Sequence, residues 1–147
     1  MRVAIGADHA GFLLKRPVIE TLEELGHTYQ DFGTYDEQRV DYPDMAALVC
    51  RAVLSGECDA GILICGTGIG MSLAANRFPG IRATLCHESY TARMAREHSN
   101  GNVLCIGGRV LGEGVAREIV KVWMSTSFAG GRHADRLAKV EGITERK

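Results

Sequence analysis

Residues Gly61 to Asn76 read GILICGTGIGMSLAAN, and this stretch decides how the chain folds. Gly61 to Ile64 is short, apolar and rich in β-branched residues, the signature of a strand buried on both faces of a parallel sheet. Gly66-Thr67-Gly68-Ile69-Gly70 breaks it, and Met71 to Asn76 resumes as a good helix former. A strand, a glycine loop and a helix aim several backbone N–H groups and a helix N-terminus at one place. Cys65 stands at the hinge, where those dipoles favour its thiolate. Familiar loop motifs do not fit. A P-loop requires Lys-Ser/Thr where Met71-Ser72 stand, and the dinucleotide fingerprint is one residue longer and belongs on the first strand. A cysteine phosphatase requires arginine at Met71, and the absence of C-x-x-C speaks against thioredoxin-type redox chemistry. What remains is an anion-stabilising loop carrying a cysteine.

Outward from this unit, strand and helix alternate. Strands are expected at residues 2–6, 28–32, 61–64, 81–86 and 103–106. Helices are expected at 12–25, 44–54 with Asp44 as a possible N-cap, 71–76, 88–97 and 112–127, with a last basic helical segment in 130–147. Gly26 stops the first helix. Five alternations imply an α/β, Rossmann-like three-layer sandwich: a five-stranded parallel sheet with helices on both faces. Its commonest strand order is 2-1-3-4-5, with a crevice at the C-terminal ends of strands 1 and 3. Asp8-His9 follows strand 1 and Cys65 follows strand 3, so the two most chemically loaded loops flank that crevice. A phospho-receiver domain carries aspartate where Cys65 stands and lysine where Gly107-Gly108 stand. A flavodoxin carries a Ser/Thr-rich loop in place of Asp8-His9-Ala10-Gly11.

The 147 residues suit one domain, 1–147, and a net charge of −1 with no basic stripe gives no sign of a nucleic-acid partner. No apolar run is long enough to span a membrane, and Met1-Arg2-Val3-Ala4-Ile5-Gly6 enters a strand without a signal peptide. The five irregularly spaced cysteines are therefore expected to be reduced, in a cytoplasmic protein. Metal-ligand spacing is absent, so neither a metal nor another cofactor is expected.

Each polar candidate has a structural reading beside the functional one. Cys50, Cys86 and Cys105 read as small buried hydrophobes, and Cys65 is set apart by its neighbours. Asp8 and His9 read as a helix cap and a surface histidine, or as pocket residues at the crevice. Thr67 lies inside the anion loop. His98 alone reads as a solvated loop residue, and Arg109 lies at the ligand-binding edge. Arg132 and Arg136 share a helix face that suits either solvent or a phosphate. His27, His87 and His133 read as surface residues.

Together these pieces resemble the ribose-5-phosphate isomerase B family, which includes galactose-6-phosphate and allose-6-phosphate isomerases. The matching residues are Gly6-x-Asp8-His9-x-Gly11-Phe12, Asp31-Phe32-Gly33-Thr34, Asp41-Tyr42-Pro43, Ile64 to Gly70 with Ala74-Ala75-Asn76, Arg96-Glu97-His98, Gly108-Arg109-Val110, and Gly130-Gly131-Arg132-His133 with Arg136. The resemblance implies aldose–ketose isomerisation of ribose 5-phosphate and ribulose 5-phosphate through a cis-enediolate. Cys65 would be the base of the family's cysteine branch, and the N–H groups of Gly66, Thr67, Gly68, Ile69 and Gly70 would hold the enediolate. Thr67 and His98 would open the furanose ring, and Asp8 would orient sugar hydroxyls. His9, Arg109, Arg132 and Arg136 would surround the phosphate, although physics alone assigns phosphate to the glycine loop. Where the family reads His-Asn-Asp this chain has His98-Ser99-Asn100, which alters a sugar contact and leaves other sugar phosphates, or binding without turnover, as alternatives. If His98 takes part, its place before strand 5 puts it at the sheet edge opposite Cys65. The expected assembly is then a homodimer or tetramer with shared active sites.

Overall fold

A computed structural model describes residues 1–145; the last two positions of the expected C-terminal segment, 146–147, lie outside the described residues. The elements are β1 (Arg2–Ala7), α1 (Phe12–Glu24), β2 (Thr28–Asp31), α2 (Tyr42–Leu54), β3 (Ala60–Cys65), α3 (Ile69–Ala75), β4 (Ala83–Leu85), α4 (Ser89–Glu97), β5 (Val103–Gly107), α5 (Glu113–Ser125) and α6 (Arg132–Glu141), then a short 3-10 turn at Ile143–Glu145. The α/β class, the Rossmann-like layering and the parallel pairing are as expected. Two helix starts differ. α2 begins at Tyr42 with Pro43 in its first turn, a position where a missing N–H is harmless, so Asp44 lies inside the helix and Asp41 takes the cap position. α3 begins at Ile69, directly after the left-handed Gly68 at φ 79°.

The strand order is β2-β1-β3-β5-β4, which corrects the expected 2-1-3-4-5 by exchanging the last two strands. The exchange has a burial cause. All five residues of β5 are buried, whereas β4 has three residues that remain partly or fully open to solvent. An interior position, covered on both faces, goes to the apolar strand, and the short one with Thr84 takes the edge.

This order also fixes the layers. The connections β1–α1–β2 and β4–α4–β5 step one way across the sheet, and those through α2 and α3 step the other way. A uniform crossover hand sends α1 and α4 to one face and α2 and α3 to the other. The core divides accordingly. On one face Ile5, Ile62, Ile64, Leu104 and Ile106 pack against Val18 and Leu22 of α1, Ala92 of α4, and Ile119, Val120 and Trp123 of α5. On the other, Ala4, Leu63, Cys65, Val103 and Cys105 meet Val49 and Cys50 of α2 and Met71 and Ala75 of α3. The alternation along β3 is the period-2 rule of a strand, with both phases apolar because both faces are covered.

Ile62 is fully buried at the centre of the sheet, while Leu13 on α1 is 69% exposed. Ile62→Ala should lower stability by about 2–5 kcal/mol, as large-to-small core changes do. Leu13→Ala should stay within about 0.5 kcal/mol. Urea denaturation of the two variants measures both, and equal losses would contradict the core described.

Candidate active site

With β5 beside β3, the loop that leaves β3 toward α3 on one face is flanked by two loops, from β1 and β5, that leave toward α1 and α5 on the other. The ends of the three strands are joined backbone to backbone. Asp8 N–H donates to the Ile64 carbonyl at 3.0 Å, Gly108 N–H to the Cys65 carbonyl at 2.7 Å, and Arg109 N–H to the Gly66 carbonyl at 2.9 Å. Glycine makes this approach possible. A Cβ on Gly107 would lie 2.8 Å from the Thr67 backbone, and one on Gly108 would lie 2.7 Å from the Ala10 carbonyl oxygen.

Cys65 closes β3, and its Sγ accepts the Gly68 N–H at 3.1 Å. Ile69 N–H donates to Thr67 Oγ1 at 3.2 Å. Two of the five loop amides are therefore used within the loop, and the N–H groups of Gly66, Thr67 and Gly70 have no hydrogen-bond partner among the described residues. A thiol beside three amide donors that are free among the described residues could remove a proton next to an oxygen that becomes an oxyanion.

The neighbouring loops complete this edge. Asp8 is buried, and its Oδ1 accepts the N–H groups of Ala10 at 2.9 Å and Gly11 at 3.0 Å. The cap position of α1 belongs to Gly11, so Asp8 braces the turn before the helix and is not its cap, and its Oδ2 has no partner among the described residues. His9 Nδ1 lies 3.3 Å from Val40 N and 3.2 Å from the Val40 carbonyl. When Nδ1 accepts from Val40, Nε2 carries the proton and is a donor for an anion. The Arg109 side chain lies over Gly66, its Cδ 3.5 Å from where a Gly66 Cβ would stand.

His98, Ser99, Arg132 and Arg136 are not here. β3 and β5 run in register from Gly61 and Val103 at one edge to Cys65 and Gly107 at the other. His98 ends α4 before β5 begins, and Gly101 N–H ties the intervening loop back to the Ala95 carbonyl at 2.9 Å. The six residues of β3 separate the two groups by about 20 Å. At that far edge His98 stacks on His133, with ring centroids 4.0 Å apart and planes inclined by 13°. His133 is buried, which corrects its reading as a surface residue. Arg132 and Arg136, on the same helix α6, are exposed. Arg96 holds the loop from beneath. It donates to the Gly101 and Thr126 carbonyls and lies 4.7 Å above the buried ring of Trp123.

Two residues packed against the candidate residues escaped the sequence reading. His133 is one, and its position between Arg132 and Arg136 was the signal. Tyr42 is the other: its ring packs on Gly70, where a Cβ would lie 2.7 Å from it. The tyrosine therefore backs the amide loop, a contact between residues 28 positions apart that no local pattern announces.

A doubly covered parallel sheet with a cysteine and free amide donors at the C-terminal ends of its strands fits an α/β enzyme of the isomerase kind. The ribose/galactose isomerase family model matches residues 3–140, and the chain belongs to that family. It is 46% identical over 146 residues to ribose-5-phosphate isomerase B of Escherichia coli strain K12, covering 99% of this chain and 98% of the relative. It is 40% identical over 142 residues to D-erythrulose-4-phosphate isomerase of Pectobacterium atrosepticum strain SCRI 1043, covering 95% and 93%. The solved structure of Clostridium thermocellum ribose-5-phosphate isomerase B superposes with a TM-score of 0.96 at 50% identity, covering 99% and 98%.

Burial pushes the thiols of Cys50 and Cys86 up to about 11. At pH 8 such thiols carry only about one thousandth of their population as thiolate. Iodoacetamide under native conditions should therefore label Cys65 first, with Cys50 and Cys86 following only on unfolding. Peptide mass mapping over time reads the order.

Proposed function

We propose that the protein interconverts ribose 5-phosphate and ribulose 5-phosphate, with Cys65 as the base. The observation that carries this reading is the Gly68 N–H bond to Cys65 Sγ beside the amides of Gly66, Thr67 and Gly70, which have no partner among the described residues. Cys65 takes the proton from C2 of the open-chain aldose and returns it to C1. Loss of the C2 proton turns the C1–O1 carbonyl into an enediolate charged at O1; the O2 hydroxyl proton passes to O1, O2 becomes the ketone carbonyl as C1 takes the proton, and both oxygens face the loop amides. Each well-placed donor contributes about 3–4 kcal/mol to the transition state. A proton exchanged between neighbouring carbons involves no external oxidant or reductant, so the step calls for no cofactor. Before it, the furanose opens: the anomeric hydroxyl loses its proton, the C1–O4 bond breaks and the ring oxygen gains a proton. Thr67 and His98 serve that step, with His98 handling the ring-oxygen proton. Asp8 Oδ2 orients sugar hydroxyls, and His9, Arg109, Arg132 and Arg136 take the phosphate. Ser99 is the residue where sugar selectivity is decided. An NMR assay with ribose 5-, allose 6-, galactose 6- and erythrose 4-phosphates tests the substrate; turnover of a six- or four-carbon sugar in preference to ribose 5-phosphate would overturn it. Cys65→Ser should retain binding yet lose nearly all C2–H exchange in deuterated water, and substantial remaining exchange would remove Cys65 from its role.

Because Cys65 and His98 stand at opposite edges of the sheet, the working site takes Cys65 from one subunit and His98 from another. We place the protein in the cytoplasm as a single-domain homodimer or tetramer on this reading; no helix among the described residues is long and apolar enough to cross a membrane. Subunit mixing tests the shared site. Homodimers of Cys65→Ser and of His98→Ala should be nearly inactive on the closed-ring sugar. Random exchange should restore roughly a quarter of wild-type activity, because half the dimers gain one intact site of two. No recovery after verified exchange would mean that both groups act within one chain.

A further inference from the structure

The loop carrying His98 offers a ring that can move. His98 ends α4, its side chain is 41% exposed, and Glu97 Oε1 lies 3.7 Å from its Nε2. A group that delivers a proton to one oxygen of a small sugar needs a fixed angle as well as a place, since misalignment of about 1 Å costs roughly 10²-fold in rate. One face of the ring is already fixed. His133 lies against it at 4.0 Å, almost parallel.

The platform is itself well anchored. Ala129 N–H donates to the Glu97 carbonyl at 3.0 Å, fastening the approach to α6 onto the last turn of α4. Gly130 and Gly131 then take positive φ, 65° and 57°, turning the chain sharply into α6. His133 N–H closes this turn on the Gly130 carbonyl at 3.1 Å and brings its ring inward, away from the exposed Arg132 and Arg136. Burial, and then the neighbouring His98, Arg132 and Arg136, hold His133 below the ordinary imidazole range, with Glu97 opposing. These are the charged groups around the pair: Glu97 on α4, and Arg132 and Arg136 on α6. Near neutral pH His133 is an uncharged flat surface.

Resting on the proposed ring-opening role of His98, we propose that His133 is its positioning residue: a stacked ring that holds the His98 imidazole at one angle and leaves a single face for the sugar. Its contribution lies in its shape and its apolar faces, and phosphate binding is left to its neighbours Arg132 and Arg136.

The test uses the full-length enzyme and three variants. His133→Ala should lower kcat for ribose 5-phosphate by about 10–100-fold, the range for lost orientation of a general acid–base group, with little change in KM. Exchange of the reacting carbon-bound proton of ribulose 5-phosphate, which is open-chain, should stay within about 3-fold because it bypasses the ring-opening group. His133→Phe keeps a stacking ring and should recover most of the loss, whereas His133→Gln should not. In His133→Gln the His98 ring-proton resonances should shift downfield as the ring-current shielding of the stack is lost. If His133→Ala does not fold, the contrast between Phe and Gln carries the test alone. Equal loss in Phe and Gln with a raised KM would make His133 a phosphate ligand, and no loss in any variant would make it inert; either outcome overturns the proposal. If His98→Ala itself leaves turnover of ribose 5-phosphate intact, the ring-opening assignment fails instead.

Discussion

The active edge depends on how closely three backbones approach one another at the ends of β1, β3 and β5. Gly11 shows the constraint most severely: a Cβ there would lie 2.3 Å from the Ile64 carbonyl oxygen, one residue before Cys65. Gly107 and Gly108 do the same from the β5 side. No L side chain fits between these strands, so the cysteine, the amide loop and the Asp8 turn are set by main chain alone. Main-chain hydrogen bonds have little freedom to vary, which keeps the donors aimed before any ligand arrives.

Outside that contact the surroundings brace it. Tyr42 fills the space beside Gly70, and Asp41-Tyr42-Pro43 opens α2, so a helix start and the back of the amide loop are one piece of structure. Lys15 is buried, and its ammonium bonds Asp31 at 2.9 Å and the Thr34 carbonyl while lying 4.9 Å from the Tyr35 ring centre. Asp31 in turn accepts Gly33 N–H at 2.8 Å. A buried cation is tolerated only with such a complete set of partners. Its placement ties α1 to the segment that later reaches His9 through Val40.

Much of this was legible in the chain because the signals are local. An apolar run, a glycine break and a helix former identify the β3 unit without reference to the rest, and five repeats of that alternation give the parallel sheet. The strand order was not legible by default topology, although its cause was present in composition: Val103-Leu104-Cys105-Ile106 is uniformly apolar, whereas Ile81-Arg82-Ala83-Thr84 is mixed. Burial demand, a whole-sheet property, decided between them. The separation of His98 from Cys65 followed from parallel topology and survives the exchanged order, since His98 precedes β5 in either. His133 and Tyr42 escaped because each is defined by what it touches across the fold. Within the loop, the pairing of Gly68 and Ile69 depends on angles that a sequence of alternating glycines leaves open.

Trp123 gives the molecule an optical property. The chain's one tryptophan is fully buried, its Nε1–H donates to Thr84 Oγ1 at 3.2 Å, and the Arg96 guanidinium lies over its face. That guanidinium also holds the Gly101 carbonyl, at the end of the loop that begins with His98. Indole emission responds to a cation over the ring and to hydration. The tryptophan fluorescence of this protein therefore comes from a single indole one residue away from the His98 loop, a native reporter of that loop's position that needs no label.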